Sequence, residues 1–88
     1  MESLQGKTAV VTGGASGMGR AFAERFARAG MNVVLADVEV PPLEAAVAEL
    51  STHGTTVLGV RTDVSDPASV QALADRAFAE LGTVHVVC

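Results

Sequence analysis

A doubly wound, parallel α/β sheet is predicted by three features of the sequence. Short apolar runs recur: Ala9-Val10-Val11, Val33-Val34-Leu35-Ala36, Val57-Leu58-Gly59-Val60 and Val84-His85-Val86-Val87. Stretches of helical periodicity separate the runs. A glycine (Gly30, Gly54, Gly82) follows each of those stretches. The runs begin at positions 9, 33, 57 and 84, spacings of 24, 24 and 27 residues. Such intervals leave room for a crossover helix, which parallel neighbours require.

The strands are apolar on successive residues instead of alternating, the pattern of strands covered on both faces. In the third helix Val70, Leu73, Ala74, Ala77, Phe78 and Leu81 form one stripe at i, i+3, i+4, i+7, i+8 and i+11. The second carries Leu43, Ala46, Val47 and Leu50. The first carries Met18, Ala21, Phe22, Phe26 and Ala29, with Arg25 as the exception on that face. Pro42 and Pro67 suit first helical turns, Asp66 suits an N-cap, and glycine readily takes the left-handed position after a helix. The order is therefore β-α-β-α-β-α-β. Strand order 3-2-1-4 is expected from the two-half arrangement of such sheets, and right-handed crossovers then put the first two helices on one face and the third on the other. In such Rossmann-type sheets ligands bind beyond the carboxyl ends of the strands, where the strand order reverses.

Composition narrows the function classes. Ten acidic against six basic residues give a net charge of −4, which disfavours nucleic acid or an anionic membrane as the main partner. With three Phe and neither Trp nor Tyr, stacking platforms for single strands are missing. No apolar run approaches the ~20 residues of a membrane span. The start, Met1-Glu2-Ser3-Leu4-Gln5-Gly6-Lys7, has no basic segment leading into an apolar one. A single cysteine, Cys88, cannot close an intramolecular disulfide. The expectation is one small, soluble, cytoplasmic domain.

Chemistry concentrates in the first strand-to-helix turn, Val11-Thr12-Gly13-Gly14-Ala15-Ser16-Gly17-Met18-Gly19-Arg20. A helix N-terminus presents unpaired N–H groups and about half a positive charge, a ready site for pyrophosphate. Gly13 would make the tight turn, Gly17 would let the diphosphate reach the backbone, and Gly19 would let the helix pack on the strand. A nucleotide-triphosphatase loop is excluded, because Gly19 is followed by Arg20-Ala21 and not by Lys-Ser/Thr. Asp37 ends the second run, 24 residues after Gly13 (37 − 13), close to the roughly 20 expected for an acid that binds an adenosine ribose. It would repel a 2′-phosphate, and Ser16 and Val38 bring no positive charge, so NAD is expected over NADP. At the end of the third strand, Asp63 could accept from the adenine amine while Val64 packs on the ring. Equally, Asp63 and Ser65 could simply form a turn before the Pro67 helix. His53 is expected at a helix end, His85 as a packed strand residue, and Cys88 without a nucleophilic role. No His/Cys/Asp cluster suggests a metal site.

The run Thr12-Gly13-Gly14-Ala15-Ser16-Gly17-Met18-Gly19 resembles the TGxxxGxG motif of the short-chain dehydrogenase/reductase family, which is more specific than GxGxxG. Asp37 and the Asp63-Val64 pair are similar to that family's adenosine contacts, and the resemblance favours the adenine role for Asp63. It implies that amides near Ser16 and Met18 hold the pyrophosphate side of the cofactor. Met18 stands where isoleucine is more usual, keeping an apolar side chain under the nicotinamide side. The resemblance covers the whole chain. In the family a strand like Val84-His85-Val86-Val87-Cys88 runs into an Asn-Asn-Ala-Gly turn, then a catalytic serine and a Tyr-x-x-x-Lys pair. None of these occurs here, so no catalytic residue is assigned.

Residues 1–88 therefore read as the N-terminal part of a Rossmann NAD-binding domain, truncated before its catalytic half. The implied function is an NAD-dependent oxidoreductase acting on a small-molecule alcohol or ketone, homo-oligomeric at full length. A non-catalytic NAD-binding module is the alternative. Methyl transfer from S-adenosylmethionine is disfavoured by the dehydrogenase spacing of 12–19. With its fourth strand as a bare edge and one face thinly covered, the 88-residue chain is expected to self-associate.

Overall fold

The chain runs β1 (Thr8–Thr12), α1 (Gly17–Arg28), β2 (Asn32–Asp37), α2 (Val40–Leu50), a 3-10 turn (Ser51–His53), β3 (Val57–Arg61), α3 (Pro67–Leu81) and β4 (Val86–Val87). A computed structural model describes residues 5–88; residues 1–4, part of the stretch read for a secretory leader, lie outside the described residues. All strands pair in parallel, in the expected order β3-β2-β1-β4. Val10 lies opposite Val34 on one side and Val87 on the other, and Val34 lies opposite Leu58.

Side chains alternate across a strand, so each strand serves two cores. Val11, Val33 and Leu35 face α1 and α2, burying with Ala23, Ala27, Leu43, Ala46 and Leu50. Val10, Val34 and Ala36 face α3 and bury with Leu73 and Ala77. Two helices on one face and one on the other is the distribution that right-handed crossovers require. Both prolines of α2 fall in its first turn, where their missing N–H groups cost nothing. The Asp66 carboxylate caps α3, accepting from the Ala68 N–H at 3.0 Å.

Three local expectations need correction. First, α1 does not bury the Met18-Ala21-Phe22-Phe26-Ala29 stripe. It buries Ala23 and Ala27 with Phe26 partly covered, leaving Met18 75% and Phe22 43% exposed. The face against the sheet runs Gly19, Ala23, Phe26, Ala27, and its small residues let the helix axis approach the strands. Phe22 instead stacks on Phe26, ring centroids 6.5 Å apart. Second, the fourth strand is regular only over Val86–Val87, although His85 and Cys88 on either side also hydrogen-bond to β1. Third, His85 is not packed in the core: it is exposed, and its Nδ1 accepts from the Thr8 N–H at 3.1 Å. His53 is exposed at the end of the 3-10 turn, directly before Gly54.

Arg20 links the two helices of one face. Its guanidinium pairs with Glu24 at 3.4 Å and with Glu49 of α2 at 2.6 Å.

Candidate functional site

The carboxyl ends of β1, β2 and β3 open into one cleft of about 240 Å³, lined by Gly13, Ala36, Asp37, Val38, Thr62, Asp63 and Val64. Five residues singled out from sequence therefore meet there: Gly13, Asp37, Val38, Asp63 and Val64. Ser16, Gly17, Met18 and Gly19 are not among its lining residues; they form the N-cap and first turn of α1, which follow Gly13 in the chain.

The loop conformation explains its glycines. Gly13 has φ 65°, a left-handed angle that L side chains adopt only with strain. A Cβ on Gly19 would strike the Gly13 carbonyl oxygen and come within 2.8 Å of the Gly13 carbonyl carbon. Only glycine lets the helix start directly above the turn. Gly17 is different: its φ is 59°, yet a Cβ there would meet nothing within 4 Å. It would project into open space above the helix start. Ser16 is the N-cap of α1 but makes no side-chain cap bond, so the first-turn amides keep their donor capacity.

Asp37 is bound into the loop. Its Oδ2 accepts from the Ala15 N–H at 3.2 Å and its Oδ1 from the Glu39 N–H at 3.2 Å. A carboxylate has about four lone-pair sites, so two acceptor positions remain. The loop is fixed a second time by the Gly14 N–H, which donates to the Ala36 carbonyl at 3.2 Å. Thr62, buried, donates its N–H to the Asp37 carbonyl at 2.9 Å and closes the floor of the cleft.

At Asp63 the turn reading and the cleft reading both hold geometrically. Oδ1 accepts from the Ser65 hydroxyl at 2.6 Å and the Ser65 N–H at 2.9 Å, while the residue still lines the cleft. The Ser65 hydroxyl and amide, with a smaller contribution from the Arg61 charge, hold the Asp63 carboxyl below its usual pKa against a modest opposing desolvation. Val38 and Val64 are 49% and 67% exposed, apolar surface at the cleft rim.

Sequence reasoning missed three contributors. Ala15 and Gly14 act through backbone N–H groups, for which residue type gives no signal. Thr12 donates both its N–H and its hydroxyl to the Cys88 carbonyl, at 2.8 and 2.9 Å, pinning β4 against β1. Among the described residues no group of three or more His, Cys, Asp or Glu could hold a metal, and no helix is long and apolar enough to cross a membrane.

A parallel sheet in 3-2-1-4 order, with a glycine loop at the first helix and an acid at the end of the second strand, defines a Rossmann-type module. The family model "short chain dehydrogenase" matches residues 7–88, and the chain belongs to that family. A short chain dehydrogenase/reductase from Burkholderia phymatum, solved in complex with NAD, superposes with a TM-score of 0.94 at 53% identity. That match covers 99% of this chain and 31% of the other. L-Sorbose reductase from Gluconobacter frateurii, complexed with NADPH and L-sorbose, gives a TM-score of 0.90 at 37% identity over 94% of this chain and 32% of the other. The 1-deoxy-11-beta-hydroxypentalenate dehydrogenase of Streptomyces avermitilis is 53% identical over 85 residues, 97% of this chain and 32% of its own length. The chain thus spans about a third of the length of these relatives.

Proposed function

We propose that the protein is an NAD-dependent oxidoreductase in which these 88 residues form the cofactor-binding half, moving hydride between a secondary alcohol or ketone and nicotinamide. One observation carries the reading. The Ala15 N–H to Asp37 bond at 3.2 Å ties the glycine loop to the strand-end carboxylate, so a diphosphate site and a ribose site are held in fixed relation.

The residues present fit such a group. The open space above Gly17 would accept phosphate oxygens where a Cβ would intrude, and the uncapped amides at Gly17, Met18 and Gly19 would donate to them. In this reading the free acceptor positions of Asp37 take the ribose hydroxyls, as expected from sequence. Asp63 keeps Oδ2 for the adenine amine, and Val38 and Val64 cover the ring. When bound, NAD supplies the hydride acceptor. This chain's part is to bind, orient and select; the groups that exchange protons with substrate are assigned to other parts of the protein. The carboxylate at Asp37 disfavours a 2′-phosphate by like-charge juxtaposition, which favours NAD although relatives include both NAD and NADPH complexes. Small-molecule alcohols and ketones are the substrate class, and a cytoplasmic homo-oligomer is the form we assign.

Calorimetric titration of the full-length protein with NAD and NADP tests this. We expect NAD to bind more tightly, and Asp37→Ala to weaken NAD and narrow the preference. No NAD binding, or an unchanged preference in Asp37→Ala, removes the reading. Binding without turnover of any alcohol or ketone in a broad panel would favour the non-catalytic module.

A further inference from the structure

Arg61 ends β3 directly opposite Asp37 in the parallel register. Paired residues of a parallel ladder share a face, and Leu35 and Gly59, two residues earlier, both lie against α2, where a Cβ on Gly59 would touch Val47 and Leu43. Asp37 and Arg61 therefore stand on the same rung of neighbouring strands and on the same face, with opposite charges, beside the start of α2. Even so, they do not pair. The Asp37 carboxylate is turned toward β1 and held there by the Ala15 and Glu39 amides. Arg61 instead lines an adjoining groove of about 270 Å³ with Val40, Leu43, Glu44, Val47 and Gly59.

Among the described residues Arg61, like Arg25 of α1, enters no ion pair, whereas Arg20, Arg28 and Arg76 do. Its side chain is exposed. The other source of positive potential on this side is weak: the first turn of α2 contains Pro41 and Pro42, which lack N–H donors. A guanidinium offers five donors in a fork matched to phosphate oxygens. An anion attached to a ribose held by Asp37 would meet that carboxylate on β2 and have this fork on the adjacent strand.

We propose that Arg61 is a second cofactor-selecting residue, a cation for a ribose 2′-phosphate whose attraction is opposed and outweighed by Asp37. The preference for NAD is then a balance between a repelling carboxylate and an attracting guanidinium on adjacent strands. This inference rests on the NAD-binding reading above.

The test uses the full-length protein with NAD and NADP, and with the fragments adenosine 5′-monophosphate and adenosine 2′,5′-bisphosphate. Asp37→Ser is expected to raise the NADP/NAD affinity ratio about tenfold or more, the scale of one charge-assisted hydrogen bond. Arg61→Gln in that background is expected to return most of the gain, and Arg61→Lys to retain part of it. The gain should shrink as salt rises. Arg61→Gln alone should lower the same ratio in the otherwise unaltered protein, a readout that does not depend on the loop surviving loss of Asp37. If the ratio is the same with and without Arg61 in both backgrounds while NAD still binds, the proposal is wrong and the NAD reading stands. If the unaltered protein binds neither dinucleotide nor fragment, both fall.

Discussion

Replacing Gly19 by alanine isolates the geometry on which the site depends. The added Cβ faces backbone atoms on three contacts: the Gly13 carbonyl oxygen, the Gly13 carbonyl carbon at 2.8 Å and the Thr12 carbonyl oxygen at 3.2 Å. No flexible side-chain end is available to give way. Overpacking of this kind costs about 1–3 kcal/mol, and rigid backbone places it near the top of that range. Alanine returns about 1 kcal/mol of helix propensity. The net is about 2 kcal/mol of destabilisation, which lowers Tm by roughly 4–8 °C in a protein of 150–250 residues. Relief of the clash must move the loop away from β1, so NAD affinity should fall at least about tenfold, near 1.4 kcal/mol. Gly17→Ala serves as the contrast. Its Cβ meets nothing, and the cost is about 1–2 kcal/mol from the left-handed φ alone, but the methyl enters the space assigned to phosphate. It should cost less in Tm than Gly19→Ala and at least as much in NAD affinity. Calorimetric melting and NAD titration read both. Wild-type melting and binding in Gly19→Ala would refute the close-approach argument.

Further expectations follow from single contacts. Asp66→Ala removes the acceptor for the Ala68 amide and should cost about 1 kcal/mol in urea unfolding, with little loss in Asp66→Asn. Because the folded-state pKa of Asp63 is depressed below its usual 3.8, its contribution to stability is full above that value. It is lost as pH falls through the lower folded value. Ser65→Ala should raise the Asp63 pKa part of the way toward normal, seen as a shift in its NMR titration; an unmoved midpoint would remove the Ser65 hydroxyl as a cause. The groove lined by Val10, Val70, Leu73, Phe78, Val84 and Val87 leaves Phe78 54% and Val87 71% exposed. The 88-residue chain should therefore self-associate in sedimentation velocity, and Phe78→Lys should reduce that association. A monodisperse monomer of the unaltered chain would contradict it.

The sequence alone determined the topology. Doubly covered strands must be written as unbroken apolar runs, so run spacing yielded a parallel β-α alternation; the two-half arrangement of such sheets supplied the 3-2-1-4 order, and the single hand of crossovers then put helices on both faces. It also located the glycine loop and Asp37, because a close approach and a strand-end acid each require a residue type at a set interval. The tertiary structure decided whatever depends on orientation. Periodicity finds a stripe by hydrophobicity, but α1 turns its small residues to the sheet, since close packing rewards shape over apolar size, and Met18 and Phe22 face outward. His85 likewise sits in an apolar run yet lies at an open edge. The bonds that make the loop and Asp37 one unit come from the amides of Ala15 and Glu39. Every residue but proline carries that donor, so only the folded chain shows where it points.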